Sequence, residues 1–73
     1  MSNIVIKCWA AVNKNGFIVL FTNQPKRNID SGQWEGELYV NSIVYKAIKD
    51  LFEKVNFSWE KEAEYFEFGN KEN

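Results

Sequence analysis

Two apolar segments separated by a short turn signal constrain the fold of this chain more than any other feature. Ile4–Val12 carries apolar side chains at alternate positions, and Phe17–Thr22 is apolar at nearly every position. Asn13–Gly16 between them favours a turn, because asparagine tolerates turn geometry and Gly16 adopts the positive φ that closes it. We therefore expect an antiparallel β-hairpin. Its second strand is apolar on both faces, which is typical of a central strand or of one covered on both sides.

The rest of the chain predicts a loop, a third strand and a C-terminal strand. Asn23–Gly32 is rich in turn formers and indicates a loop of ten residues. Gln33–Val40 alternates as a third strand, in which Gly36 marks a bulge or a close backbone approach. Glu64–Phe68 alternates as the last strand. The predicted fold class is α+β: a small, mainly antiparallel sheet of the N-terminal hairpin, the third strand and the C-terminal strand, packed on one α-helix.

One helix is indicated by apolar residues that recur at helical spacing. Asn41 or Ser42 is suited to accept a hydrogen bond at its start, and Asn56 is suited to end it. The apolar stripe of this helix comprises Ile43, Val44, Ala47, Ile48, Leu51, Phe52 and Val55.

We expect residues 1–69 to form a single domain and residues 70–73 to form a frayed tail.

Composition argues against catalysis and metal binding. The 73 residues include one cysteine, Cys8, and no histidine, so an internal disulfide is excluded and a zinc site is disfavoured. Cys8 lacks the histidine base that usually activates a thiol nucleophile. Glu35 and Glu37 project from one strand face two residues apart, and paired carboxylates can act as acid and base. Exposure of that strand face to solvent explains both residues without catalysis. We therefore expect no enzyme activity, no cofactor and no metal.

Charge and segment length bear on partners and location. Residues 1–49 hold six Lys/Arg and three Asp/Glu, a net of +3, whereas residues 50–73 hold three and seven, a net of −4. These halves can attract each other within one fold or between copies. The total of −1 argues against strong nonspecific phosphate binding. Without a signal peptide pattern or an apolar run near the roughly 18 residues of a membrane helix, we expect a cytoplasmic protein that does not bind membranes.

A series of short motifs runs along most of the chain: Trp9–Ala10, Asn15–Gly16, Leu20–Phe21, Pro25–Lys26–Arg27, Trp34, Leu51–Phe52, Val55 and Trp59–Glu60. This order resembles a family of small uncharacterised proteins encoded by bacteriophages and by prophage regions of gut bacteria. Members often have a proline soon after the second Leu–Phe, where this chain has Glu53. The resemblance implies a small accessory protein of a phage or mobile element, and it brings no established activity.

An excess of large apolar side chains suggests a binding surface. The chain has twelve aromatics, and one helix covers only one face of a sheet, so we expect the other face to meet a second molecule. The predicted partner is a host or phage protein, such as a host defence or regulatory component, or a second copy in a homodimer. The alternative is single-stranded nucleic acid or a nucleotide held by aromatics beside cations. A third interpretation is that these aromatics are simply core. The candidate contact residues are Trp9, Lys26, Arg27, Trp34 and Tyr39.

Overall fold

The computed structural model describes residues 5–69, and the predicted tail at residues 70–73 lies outside that range. The described chain forms a three-stranded antiparallel sheet, a two-stranded antiparallel sheet and one helix, which confirms the α+β class. The first sheet has the order β2-β1-β5, and the second pairs β3 with β4. In chain order the elements are β1 (Val5–Val12), β2 (Ile18–Phe21), β3 (Lys26–Asn28), β4 (Gln33–Glu35), α1 (Ser42–Lys54) and β5 (Glu64–Gly69).

The N-terminal hairpin forms as predicted. Trp9 lies opposite Phe21 in the β1–β2 ladder. The backbone N–H of Asn13 donates to the carbonyl of Phe17 over 2.8 Å, and Gly16 has a φ of +95°. The strand β5 pairs with the other edge of β1, where Cys8 lies opposite Phe66. The central strand of the sheet is therefore β1, and β2 is at its edge.

The prediction for residues 23–40 is wrong in two respects. The predicted loop contains the strand β3, and the predicted third strand ends at Glu35 instead of Val40. The close backbone approach expected at Gly36 explains the early end. A Cβ atom there would lie 3.0 Å from Phe21 Cδ1 and 3.3 Å from the Cα of Pro25. The chain turns at this contact, so β4 pairs with β3 instead of extending the main sheet.

Each face of the main sheet has its own cover. The face that carries Cys8 and Ala10 packs against α1 through Val44, Ile48 and Phe52. The opposite face packs through Ala11 and Phe21 against Trp34 of β4, with Trp9, Val19, Trp59 and Ala63 around them. The expectation that one sheet face remains free is therefore wrong, because the β3–β4 hairpin and the Trp59 segment cover it.

Hydrogen bonds cap both ends of α1, at positions that the sequence pattern indicated. The Asn41 Oδ1 atom accepts from the backbone N–H groups of Ile43 and Val44, each over 3.1 Å. Asn56 has a φ of +54°, and the N–H of Phe57 donates to the carbonyl of Phe52 over 2.9 Å. This is a Schellman ending, and its usual apolar contact is present as stacked rings of Phe52 and Phe57.

Candidate protein-binding surface

Trp34, one of the predicted contact residues, is buried and belongs to the second core cluster. Its indole Nε1 donates to the carbonyl of Val12 over 3.0 Å, and its backbone N–H donates to Asn13 Oδ1 over 2.9 Å. These two bonds attach β4 to the end of β1. Because the side chain faces the protein interior, Trp34 stabilises the fold and offers little area to a partner.

Arg27 is also committed to contacts inside the molecule. Its guanidinium lies 4.7 Å from the ring centre of Trp34 and 5.0 Å from that of Trp59. Nη2 donates to the carbonyls of Trp59 (2.8 Å) and Lys61 (2.9 Å), and Nη1 lies 3.4 Å from Glu62 Oε2. Of the two predicted cations, Lys26 is the one that is exposed and available to an external anion. The structure therefore brings Arg27 and Trp34 together as an internal pair.

Trp9 lies on the sheet face that packs against Trp34, and it is separate from the predicted cations Lys26 and Arg27. It is half-buried, and its ring centre is 5.2 Å from that of Tyr65. The Tyr65 hydroxyl donates to Glu67 Oε2 over 2.9 Å. Desolvation, followed by this hydrogen bond and the Glu67 charge, raises the pKa of Tyr65. A carboxylate beside the exposed ring edge disfavours phosphate there, so the predicted aromatic and basic surface does not assemble around Trp9.

A largely apolar depression follows the outer edge of β2, and we call it the β2 groove. Its volume is about 380 Å³. Tyr39, the remaining predicted contact residue, contributes to one wall and is half-buried. The apolar lining consists mainly of Ile18, Leu20, Leu38, Tyr39, Val40 and Tyr45.

The backbone at this edge already pairs with an extended segment of the same chain. The N–H of Thr22 donates to the carbonyl of Glu37 over 2.8 Å, and the N–H of Tyr39 donates to the carbonyl of Leu20 over 3.0 Å. Pairing stops there, because the chain leaves the sheet to begin α1. Backbone groups alternate between the two edges of an antiparallel strand, so those of Ile18 point outward beside the groove.

Two large apolar side chains at the groove are exposed to solvent. Leu38 is 65% exposed and Val40 is 91% exposed. The sequence pattern placed both on the face of Trp34, because it assumed an unbroken strand. In the structure the chain bends at Gly36 and Leu38 lies opposite Phe21 at the edge of β2, so Trp34 is buried whereas Leu38 and Val40 are exposed. That glycine was the only signal in the sequence that could have indicated this, since it marked a close approach without giving its partner.

The described residues also bear on metal binding and on the reactivity of the cysteine. Among residues 5–69, no group of three acidic, cysteine or histidine side chains is placed to hold a metal ion. Cys8 is fully buried, and burial raises the pKa of its thiol, which disfavours the reactive thiolate. Over the same residues, α1 is too short and too polar to cross a bilayer.

Comparison with known proteins gives no match: neither a protein family, nor a curated protein, nor a solved structure resembles the chain significantly.

Proposed function

We propose that this chain is a noncatalytic binding domain that holds an extended apolar segment of a partner protein in the β2 groove. The observation that supports this most directly is the combination of an open strand edge at Ile18 with the exposed side chains of Leu38 and Val40. Strand addition to a sheet edge uses backbone hydrogen bonds for affinity and side-chain pockets for specificity. In the β2 groove, Ile18 supplies the outward backbone groups, because Leu20 and Thr22 already pair with Tyr39 and Glu37, and the apolar lining supplies the side-chain contacts.

The biological setting of the proposal comes from the resemblance to small phage and prophage proteins. An accessory protein of this kind acts in the cytoplasm of the host cell, and its partner is a host or phage protein. Inhibition of a host defence or regulatory component is the specific role that we propose. Occupation of a partner's strand or linker by the β2 groove is a sufficient mechanism for inhibition, because it removes that segment from the partner's own contacts.

Selection of peptides from a random displayed library tests the binding mode without knowledge of the partner. We expect selected peptides to share alternating apolar residues, because a strand presents every second side chain to the groove. Complete burial of one Leu or Val side chain contributes about 1.5–3 kcal/mol. The change Leu38→Asp should therefore weaken peptide binding at least tenfold, as measured by fluorescence anisotropy. Bound peptide should also slow hydrogen exchange of the Ile18 amide.

Ile29 provides the matched control, since it is 77% exposed and lies in the turn between β3 and β4, away from the groove. The change Ile29→Asp should leave peptide affinity unchanged. The proposal is wrong if Leu38→Asp binds the selected peptides as tightly as the unmodified chain does. It is also wrong if selection gives no peptide that binds above background.

Fluorescence anisotropy also tests the alternative, in which the chain binds single-stranded nucleic acid. A labelled single-stranded oligonucleotide should show no binding at low salt, where phosphate contacts are strongest. Measurable affinity that falls steeply with salt, and that Lys26→Ala reduces, would favour the alternative over peptide binding.

A further inference from the structure

The helix α1 exposes a second apolar surface, separate from the β2 groove, that its packing against the sheet does not use. Ile43, Ala47 and Leu51 are four residues apart and therefore lie along one side of α1, and Val55 follows them as the C-cap residue. All four are exposed, and Ile43 is exposed to 82%. We call these four residues the α1 seam.

The seam points away from the hairpin. The opposite flank of α1, with Tyr45, Lys49 and Glu53, lines a hollow against Phe17 and Ile18. The residues between the two flanks, Val44, Ile48 and Phe52, are buried on the sheet. The lining of the β2 groove includes none of the four seam residues.

Charged residues beside the seam indicate what covers it. Lys46 and Asp50 follow one edge of the seam and are exposed. The ion pair identified among residues 5–69 joins Arg27 and Glu62. Within those residues, neither Lys46 nor Asp50 therefore has a salt-bridge partner. In an antiparallel pair of identical helices related by a twofold axis, the same flank of each helix meets on one side. An axis level with Ile48 therefore places Lys46 of one copy opposite Asp50 of the other.

The same axis also interlocks the apolar side chains. Leu51 of the second copy falls between Ile43 and Ala47 of the first, and the reciprocal contact forms by symmetry. Rows of residues four apart pack into each other in this way in the most common class of helix contact. The small side chain of Ala47 lets the helices approach closely. We infer that the α1 seam binds a second copy of this chain in an antiparallel, twofold-symmetric dimer.

Light scattering on the full chain over a range of concentrations tests the dimer. We expect a mass that rises from 8.6 kDa to twice that value as concentration increases. Ile43→Asp should hold the chain at the monomer mass at every concentration, with the helical circular dichroism unchanged. A chain that remains monomeric at millimolar concentration would overturn the inference.

Charge reversal tests the antiparallel register. Lys46→Glu alone and Asp50→Lys alone should each weaken dimerisation by roughly tenfold, because each creates two like-charge contacts across the axis. The double variant should restore it. Lys49→Glu on the opposite flank is the control and should have no effect. If a dimer forms but the single reversals leave it unchanged, or the double variant fails to restore it, the register is refuted. The outcome of the peptide selection at the β2 groove does not depend on whether this dimer forms.

Discussion

Arg27 joins two parts of the chain that are far apart in sequence. Its guanidinium lies between two indole rings and donates to two backbone carbonyls of the segment before β5. A hydrogen bond that involves a charged group contributes about 1.5–3 kcal/mol to stability. The pair with Glu62 adds little, since that carboxylate is 83% exposed. Most of the stabilisation therefore comes from the carbonyl bonds and the ring contacts.

The first prediction concerns this residue. Arg27→Ala should lower the free energy of unfolding by about 2 kcal/mol, a large part of the roughly 3–5 kcal/mol that a domain of this size has. The measurement is urea unfolding followed by tryptophan fluorescence. Lys26→Ala and Glu62→Gln should each change it by less than about 0.5 kcal/mol. Equal effects of Arg27→Ala and Lys26→Ala would show that the internal contacts of Arg27 contribute nothing.

The sequence pattern indicated Arg27 as a contact residue for a second molecule. In the structure its guanidinium instead lies against two indole rings of its own chain. The second ring belongs to Trp59, which follows Arg27 by 32 positions, and no local pattern joins residues at that separation. For the same reason the burial of Trp34 could not be read from its strand, because the residues that cover it lie on β1 and near β5.

At the scale of elements, predictions were accurate where local chemistry decides the structure. The helix and its ending at Asn56 depend on neighbours within four residues and are confirmed, and of the two predicted caps, Asn41 and Ser42, the structure has Asn41. The hairpin turn at Gly16 is confirmed for the same reason. The β3–β4 hairpin was missed because its three-residue strands have no apolar alternation. Its formation depends on Trp34 packing against a distant sheet face, which is a tertiary effect.

The second prediction concerns the start of α1. Asn41 accepts two backbone N–H groups through Oδ1 and donates to the Tyr39 hydroxyl through Nδ2 over 3.0 Å. Asn41→Ala should therefore lower the free energy of unfolding by about 1 kcal/mol. Asn41→Asp should retain most of that stability, because aspartate keeps the acceptor and its charge favours a helix N-terminus. Thermal unfolding by circular dichroism measures both.

Ser42→Ala is the control for the cap, since Ser42 is exposed and is the first residue of the helix. It should shift the midpoint by less than half of the Asn41→Ala shift. A larger effect of Ser42→Ala would mean that the helix is capped by Ser42 in solution.

The whole molecule is organised around β1, which lies between two separate cores. The consecutive residues Ala10 and Ala11 are both fully buried, and they belong to opposite clusters. Loss of packing on one face of β1 therefore exposes the other face as well. The three tryptophans all contact the cluster opposite α1. Their fluorescence reports one core, whereas far-ultraviolet circular dichroism is dominated by the helix that covers the other.

The third prediction follows from this arrangement. Urea unfolding measured by tryptophan fluorescence and by circular dichroism should give the same midpoint, because a chain of this size with a shared central strand unfolds in one transition. Ile48→Val removes a methyl group from the helix-side core, where no tryptophan is packed, and should cost about 1 kcal/mol. It should move both midpoints equally. If it moved only the dichroism midpoint, the two cores would unfold independently, and β1 would not couple the tryptophan core to the helix-side core.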